Sequence, residues 1–439
     1  MTIDDQKYTA MLNRSLDDIT QCDAENVICY LGGLANWWLK LEVFEKANAM
    51  YPKPTLPQGN GACWILLVFQ QNGKHTTNSI LNPAPVFPLR WDKDKIHDTR
   101  LPKGLIILAE MIRSQLNPTE QWGLQHEVNN PPDLSKIDKA MTWGSAWASL
   151  YTGLKLAIEG HSPDPKVFAS GGWNKDGIAN VDGLDDKIRT AKAFHADYVF
   201  VPEDQLNTLK GKYKSSSGGE LLHTLLIGKS DPNEAVQLYY STLKAEPDEN
   251  AMPNELEQYY LEMPFVKNPQ DYYLRRIKSE VSKNACIELS KEKYPNSPLN
   301  RTLISWVSTG SELIDVAIDV FKPQKVFLFC TINSKFTEQA KRIENHYQNV
   351  EIIEMDEKFS FKELRRLTAE NFPVPAESEN YLIDLTLGTV PMTLSLYDVA
   401  PEGSTFLCWT KQMTQGQGGR PIPSTTKPEI WTKNEETNQ

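Results

Sequence analysis

Residues 299–411 alternate between short apolar segments and amphipathic segments, and no other pattern in the chain limits the fold so strongly. Helical patterns begin near Ser311, Lys335, Ser360 and Val390, and the first repeats its apolar residues at three- and four-residue spacing. Strands that are apolar along their whole length are buried on both faces, as in a parallel sheet covered by helices. The alternation therefore predicts a doubly wound parallel α/β sheet. The apolar segments read TLISWVST, KVFLFCT, VEIIEM, NYLIDLT and STFLCWT.

The turns that follow these strands carry short hydroxyl side chains and precede helices. Ligands bind at the carboxyl ends of strands in such sheets, and the free N–H groups of a helix N-terminus favour anions. The turns predict a site for a phosphate-bearing ligand, although each turn alone also fits an ordinary helix cap. Neither a G-x-G-x-x-G nor a P-loop motif supports dinucleotide or ATP binding. The candidate ligand-binding residues are Ser308, Thr309, Gly310, Ser311, Thr331, Asn333, Thr386, Gly388, Thr389 and Met392.

The segment IDLTLGTVPMTLSLYDVA resembles the D-x-T-x-G-T-x-x-M signature of the CRISPR-associated Rossmann fold (CARF) sensor domain. The matching residues are Asp384, Thr386, Gly388, Thr389 and Met392, and ISWVSTGSELIDVAI is similar to the family's first strand and ligand-contacting turn. The resemblance implies a Rossmann-like fold, a homodimer, and binding of cyclic oligoadenylate across the two-fold axis. Cyclic tetra-adenylate is the commonest activator in that family. Val390 stands where many members have a lysine, which bears on phosphate contacts and on ligand cleavage.

The composition argues against several classes of function. A formal net charge of −11 is unlike that of a protein that coats nucleic acid, so we expect no direct DNA binding. The seven histidines form no metal-binding cluster, which predicts no metal site and no cofactor. The longest apolar runs are too short to cross a bilayer, and no secretory signal is visible. The six cysteines show no paired framework, so we expect a cytoplasmic protein without a membrane partner.

A serine opens an amphipathic helix in the N-terminal half of the chain, in MTWGSAWASLYTGLKLAIEG. Ser145 is either a helix cap, the commoner role at such a position, or a nucleophile held at a helix N-terminus. A nucleophilic serine needs a base, and a buried lysine qualifies because desolvation lowers its pKa. Lys187 lies 42 positions downstream, in the first turn of its own predicted helix. A helix N-terminus disfavours a cation, which makes this lysine the candidate base.

The block VFASGGWNKDGIANVDGLDDKIRTAKAFHADYVFVPEDQ, taken with the Ser145 helix, resembles the Lon protease domain. This resemblance implies a Lon-type α+β fold in which Ser145 is the nucleophile and Lys187 the general base. It gives Ser170 the task of positioning the lysine amine. Backbone amides near Gly144 and Ala146 would form the oxyanion hole. The ordered matches are Gly144-Ser145-Ala146, Ser170-Gly171, Gly183-Leu184, Lys187 and Pro202-Glu203.

Four residues depart from the Lon pattern. Trp143 and Trp147 flank the Gly-Ser-Ala triplet, and they predict a narrowed, specific cleft. Asp182 and Asp185 alter the surroundings of the candidate base, where nearby carboxylates favour the charged amine. No Walker motif precedes the domain, so we expect site-specific cleavage of an accessible loop rather than ATP-coupled degradation.

Two other functions remain open at this point. Arg189 and His195 form R-x5-H, which fits the pattern of the HEPN ribonucleases that often accompany such sensors. A ribonuclease activated by cyclic oligoadenylate is therefore one alternative. The other is a non-catalytic, nucleotide-dependent scaffold, in which the tryptophan-containing first 60 residues contact a partner.

The expected organisation has four parts. A Lon-like protease domain with an N-terminal helical segment occupies 1–210, and a helical connector occupies 211–298. A CARF ligand-sensing domain follows over 299–420, with a flexible tail over 421–439. These parts predict an ATP-independent Ser-Lys endopeptidase of type III CRISPR antiviral defence, activated by cyclic oligoadenylate. Its substrate would be a specific partner protein from the same defence locus.

Overall fold

The chain forms two compact units, residues 1–246 and residues 247–439. Each unit has hydrophobic clusters of its own, so each is described separately. The protein is a mixed α/β chain with several sheets, as the sequence predicts. The helical segment expected within the first 55 residues lies outside the described residues. The computed structural model describes residues 56–66, 70–71, 74–75, 86–127, 143–209, 211–215, 217–291, 301–308, 310–332, 334–356, 360–373, 380–414 and 420–432.

The first unit contains two three-stranded sheets, one antiparallel with the order β1-β4-β5 and one parallel with the order β10-β9-β6. Two short hairpins, β2-β3 and β7-β8, complete its strand pairings. In chain order its described elements are β1 (Ala62–Leu66), β2 (Gln70–Gln71), β3 (Lys74–His75), β4 (Val86–Lys93), α1 (Lys103–Leu116), β5 (Trp122–His126), α2 (Trp147–Ile158), β6 (Val167–Ala169), β7 (Gly172–Asn174), β8 (Gly177–Ala179), α3 (Leu184–Ala193), β9 (Tyr198–Pro202), α4 (Glu203–Leu209), β10 (Leu222–Leu225) and α5 (Pro232–Leu243).

Helix α2 forms the centre of the first unit. Trp147, Leu150 and Leu154 are fully buried, because apolar residues occur on nearly every side of the helix. The Trp91 indole on β4 donates to the Leu150 carbonyl at 3.1 Å, which joins the helix to the antiparallel sheet. A helix held on so many sides gives its N-terminus, where Ser145 lies, a fixed position.

The second unit is built on a six-stranded sheet with the order β13-β12-β11-β14-β15-β16. All neighbouring strands are parallel except β16, which runs antiparallel to β15. In chain order its described elements are α6 (Pro253–Glu262), α7 (Pro269–Tyr272), a π-helical turn (Tyr273–Ile277), α8 (Lys278–Lys291), β11 (Arg301–Trp306), α9 (Glu312–Phe321), β12 (Lys325–Thr331), α10 (Ser334–His346), β13 (Val350–Met355), α11 (Phe361–Asn371), β14 (Asn380–Asp384), α12 (Val390–Val399), β15 (Thr405–Thr410) and β16 (Lys427–Thr432).

Helices cover both faces of this sheet. Leu303 and Leu382 belong to a cluster shared with α8, α9 and α10, whereas Ile304 and Ile383 belong to a second cluster shared with α11 and α12. Successive residues of a strand point to opposite faces, so strands apolar along their length fill both cores. The mostly parallel α/β sheet predicted from the alternation is confirmed. Its strand order reverses between β11 and β14, the place where open α/β sheets bind ligands.

The two compact units divide the chain at a different place from the expected domain boundaries. The connector expected over 211–298 is divided, because residues 211–246 belong to the first unit and residues from 247 belong to the second. Strand β10 extends the parallel sheet, and Tyr239 of α5 packs on Phe200 of β9 with ring centroids 5.2 Å apart. The flexible tail expected from 421 also begins too early. Residues 427–432 form β16, where Trp431 packs against Phe406.

Candidate functional site

Ser145 lies in a single 3₁₀ turn, Gly144–Ala146, directly before α2. Its carbonyl accepts a hydrogen bond from the Gly171 N–H at 3.1 Å, and the Ala148 N–H donates to the Gly171 carbonyl at 3.0 Å. A Cβ at position 171 would overlap the end of the Leu225 side chain, which would have to move to make room for it. No side-chain hydrogen bond caps the first turn of α2, so the Ser145 hydroxyl does not act as its cap.

Lys187 is a buried lysine on the apolar face of α3. Leu184, Ile188 and Ala191 share that face at helical spacing, and Lys187 itself is only 3% exposed. Gly183 starts the helix, and its carbonyl accepts the Lys187 N–H at 3.2 Å. Burial of the whole face therefore carries the lysine into the interior of the first unit.

The Lys187 ammonium donates to Ser170 Oγ at 3.0 Å. Ser170 is also buried, and its N–H is tied to the Phe200 carbonyl at 2.9 Å, so β9 fixes its position. Ser170 immediately precedes Gly171, the residue bonded to the Ser145 backbone. The fold thus brings Ser145, Ser170 and Lys187 to one locality from three separate elements. Among the described contacts, no hydrogen bond joins Ser145 Oγ to Lys187 Nζ; such bonds are often absent in free enzymes.

Burial lowers the pKa of Lys187 from 10.5 to about 8, because a charged amine is poorly solvated in the interior. The carboxylate of Asp182 acts in the opposite direction, as expected from the sequence, but its effect is smaller than that of desolvation. Asp185, by contrast, bonds to Lys212 at 2.6 Å and to the Tyr213 hydroxyl. A substantial fraction of Lys187 is therefore neutral slightly above neutral pH.

One expected oxyanion donor is already engaged. The Ala146 N–H donates to the Trp143 carbonyl at 2.9 Å, closing the 3₁₀ turn that contains Ser145. An oxyanion hole at this position would need backbone N–H donors from the Gly144 end of the turn. Alternatively, the turn would have to change so that the Ala146 N–H becomes free.

The two tryptophans that flank the triplet belong to the core rather than to a cleft wall. Trp147 is fully buried and stacks between Tyr151 and Trp173, at centroid distances of 4.9 and 4.6 Å. Its indole N–H donates to Gln115 Oε1 at 2.8 Å. Trp143 is 7% exposed and packs near Phe87. Trp147, the first residue of α2, and Trp143, just before the 3₁₀ turn, are both buried, so neither ring forms an exposed surface beside Ser145.

The R-x5-H pair of the ribonuclease alternative is not assembled into a joint site. The Arg189 guanidinium pairs with Asp186, one turn earlier on α3. His195 lies beyond the end of α3 in the left-handed backbone region, with φ of 58°, and is exposed. No described contact joins the two side chains.

In the second unit, the turns after β11 and β14 meet at the carboxyl edge of the sheet. The Ser308 hydroxyl accepts the Gly388 N–H at 3.0 Å. The turn after β14 is also bonded to β15, because Thr386 Oγ1 accepts a hydrogen bond from the Trp409 N–H at 2.7 Å. Asp384, fully buried beneath the turn, accepts from the Thr386 N–H at 2.9 Å and from Ser305 Oγ at 3.1 Å. Its pKa is raised by burial, which these hydrogen bonds partly offset.

The backbone at position 388 favours glycine, which has no side chain. Its φ is +100°, and a Cβ would lie 3.1 Å from the Cβ of Met392 and 3.2 Å from that of Trp306. The Trp306 indole in turn donates to the Met392 carbonyl at 3.0 Å. Thr389 caps α12, and its N–H lies 3.4 Å from the Met392 sulfur. The glycine and methionine of the signature therefore act in shaping the turn.

The other predicted ligand residues differ in their surroundings. Gly310 is half-buried in the turn before α9, with φ of +93°. Ser311 is fully buried, and its hydroxyl accepts from Gln270 Nε2 at 2.7 Å, so this hydroxyl faces α7 rather than the sheet edge. Thr331 ends β12 and is 9% exposed. Thr309 and Asn333 lie outside the described residues.

Gln270 is a residue that sequence reasoning missed. It also lies 3.3 Å from Glu312 at the start of α9, and so joins α7 to the turn after β11. Gln270 and Ser311 are 41 positions apart with no shared motif, so only the tertiary structure reveals their contact.

Comparison with known proteins adds little to this geometry. No protein-family model matches the chain, and no curated protein matches it. A solved structure of a candidate methyltransferase from Thermobifida fusca YX is similar at 11% identity, over 38% of this chain and 68% of that one, with a TM-score of 0.22.

Across the described ranges no helix has the length and apolar character to cross a membrane. Nor do His, Cys, Asp and Glu residues group there into a metal site.

Proposed function

We propose that this chain is a cyclic-oligoadenylate-activated serine endopeptidase with a Ser145–Lys187 dyad, acting in type III CRISPR antiviral defence. The observation that carries the proposal is the buried Lys187 amine, whose pKa is about 8, bonded to Ser170 beside the Ser145 turn. A buried lysine has little structural use, since desolvation makes its charge costly. General-base catalysis is the chemistry that uses a neutral amine at this position.

The proposed reaction is amide hydrolysis through an acyl-enzyme. Lys187 Nζ takes the proton from Ser145 Oγ as the oxygen attacks the scissile carbonyl. The resulting ammonium returns the proton to the leaving amine, and water then hydrolyses the ester with the same amine as base. Ser170 Oγ accepts a hydrogen bond from the amine and holds it in place. The first unit would correspond to a Lon-type domain that acts without ATP.

The second unit would be the CARF sensor, a Rossmann-like domain. The Ser308–Gly388 hydrogen bond supports this assignment, because it joins the two turns that match the family. The apolar side chains of Val390 and Leu394, one turn apart on α12, are 72% and 45% exposed. Their exposure supports burial in a homodimer. Cyclic tetra-adenylate is the proposed activator, and the substrate is a partner protein from the same defence locus, in the cytoplasm.

The test is cleavage of neighbouring gene products by the full chain, with and without cyclic tetra-adenylate, with RNA offered in parallel. We expect ligand-dependent protein cleavage in the wild type, and its loss in Ser145→Ala and in Lys187→Met. Lys192→Met is the matched control, because Lys192 lies on the same helix but is exposed. It should keep full activity.

Two results would overturn the proposal. One is protein cleavage that survives both Ser145→Ala and Lys187→Met. The other is RNA cleavage that is lost in His195→Ala and retained in Ser145→Ala, which would assign a ribonuclease. Ligand binding with neither activity would instead favour the nucleotide-dependent scaffold.

A further inference from the structure

Lys411 directly follows β15 at the carboxyl edge of the sheet in the second unit. Asp384 pairs with Leu407, and two residues on, the Trp409 N–H bonds to Oγ1 of Thr386 in the turn after β14. Lys411 is the second residue after Trp409, and the charge of Asp384, at the end of β14, acts on its ammonium. The lysine therefore lies beside the turn that carries the candidate ligand residues.

The Lys411 ammonium is half-buried, and no described hydrogen bond or ion pair reaches it. Burial lowers its pKa, while the charges of Asp384, Glu312 and Cys408 act in the opposite direction. Asp384 already accepts hydrogen bonds from Ser305 and Thr386. Glu312 lies within hydrogen-bond distance of Gln270. Both buried carboxyl groups therefore have hydrogen-bond donors other than Lys411, and no described hydrogen bond occupies the N–H groups of the Lys411 ammonium.

The turns after β11 and β14 contain no cationic residue in their sequences. Residues 308–311 and 386–389, which include the described part of the ligand edge, read STGS and TLGT. Val390, the first residue of α12, is apolar and 72% exposed. Neutral hydroxyls and amides bind phosphate less strongly than a charged donor does. A phosphate-bearing ligand at the turn after β14 would find a positive charge in Lys411, directly after β15.

We propose that Lys411 is a specificity-determining residue that binds a phosphodiester group of the cyclic oligoadenylate. This inference rests on the proposed function of the second unit. Lys411 would supply the positive charge that the turn after β14 lacks, from its position directly after the neighbouring strand β15. The competing role is structural, in which Lys411 serves only to offset the charges of Asp384 and Glu312.

Calorimetric titration of the full chain with cyclic tetra-adenylate, at several potassium chloride concentrations, separates these roles. Lys411→Gln should weaken binding by about tenfold to a hundredfold, as expected when a charge-assisted hydrogen bond is removed. It should also reduce the slope of log affinity against log salt by about 0.7 for each phosphate that the protein no longer neutralises. Lys411→Arg should restore most of both quantities, since it keeps the charge. Lys427→Gln is the control, because Lys427 lies on adjacent β16 and is exposed.

The outcomes are distinct. Wild-type affinity and an unchanged salt slope in Lys411→Gln would overturn the inference while leaving the proposed function intact. A weaker affinity with an unchanged salt slope and a lowered melting temperature of the free protein would assign the structural role, and would also overturn it. If the wild type binds neither cyclic tetra-adenylate nor cyclic hexa-adenylate, the proposed function itself is wrong.

Discussion

A lysine at an apolar helix position is the residue-scale feature that matters most in this protein. Lys187 occupies the position between Leu184 and Ile188 where α3 would ordinarily place another apolar side chain. Helical spacing alone predicts its burial, because residues three and four apart share a face. What spacing does not predict is its acceptor, Ser170, which comes from a different element.

The pH dependence of Lys187 should appear in both stability and activity. Its folded pKa of about 8 lies below the ordinary 10.5, so the unfolded chain binds more protons between these values and stability rises with pH there. At pH 7 the folded protein bears the full cost of the buried charge. Lys187→Met should therefore be more stable than the wild type at pH 7, by up to about 3 kcal/mol. Urea denaturation should show this advantage shrinking as the pH approaches 10.5.

For activity, kcat/KM of ligand-activated cleavage should rise with pH through an apparent pKa of about 8, as Lys187 loses its proton. The measurement is a pH–rate profile of a fluorogenic peptide containing the cleavage site. An acid limb near pH 6.5 would point to a histidine base instead.

At the scale of elements, the turn between β14 and α12 shows how a short sequence motif specifies a backbone shape. Gly388 adopts a left-handed conformation against Met392 and Trp306. The shape presents the Gly388 N–H to Ser308 of the neighbouring strand end. The sequence could predict the turn, but not that Trp306 packs against it.

Gly388→Ala should destabilise the second unit by about 2–3 kcal/mol, because strain at positive φ adds to crowding by two Cβ atoms. Gly403→Ala is the matched comparison, since Gly403 also has positive φ (+80°) but faces open space. It should cost only about 1 kcal/mol. Chemical denaturation of the two variants measures the difference, and equal destabilisation would contradict the packing argument.

At the scale of the whole molecule, the chain divides at residues 246 and 247 rather than through a separate connector. Each hydrophobic cluster contains residues of one unit only. Tyr239 of α5 belongs to the cluster of the first unit, whereas Tyr260 of α6 belongs to that of the second. The composition of residues 211–298 is polar and helix-forming throughout, and it does not indicate a division at residues 246 and 247. Apolar residues such as Tyr239 are spaced along amphipathic helices on both sides of that division.

A fragment of residues 247–439 should fold alone, since its clusters contain residues of the second unit only. We expect a cooperative thermal transition by circular dichroism and retained binding of cyclic tetra-adenylate. A fragment starting at 299, the boundary expected from the sequence, is the comparison. It lacks Tyr272, Tyr273 and Ile277 from the core and should be less stable or insoluble. Equal stability of both fragments would contradict the assignment of these helices to the second unit.

The sequence by itself determined the strands and helices of the second unit and the helical pattern that follows Ser145. Each of these follows from local periodicity, which needs no knowledge of distant residues. The Lon resemblance, rather than periodicity, pointed to Ser170, whose Oγ accepts a hydrogen bond from Lys187 Nζ. Only the tertiary structure decided that Trp147 belongs to the core, that Gln270 bonds Ser311, and that residues 427–432 complete the sheet. These are contacts between elements far apart along the chain, and they depend on how the faces pack against one another.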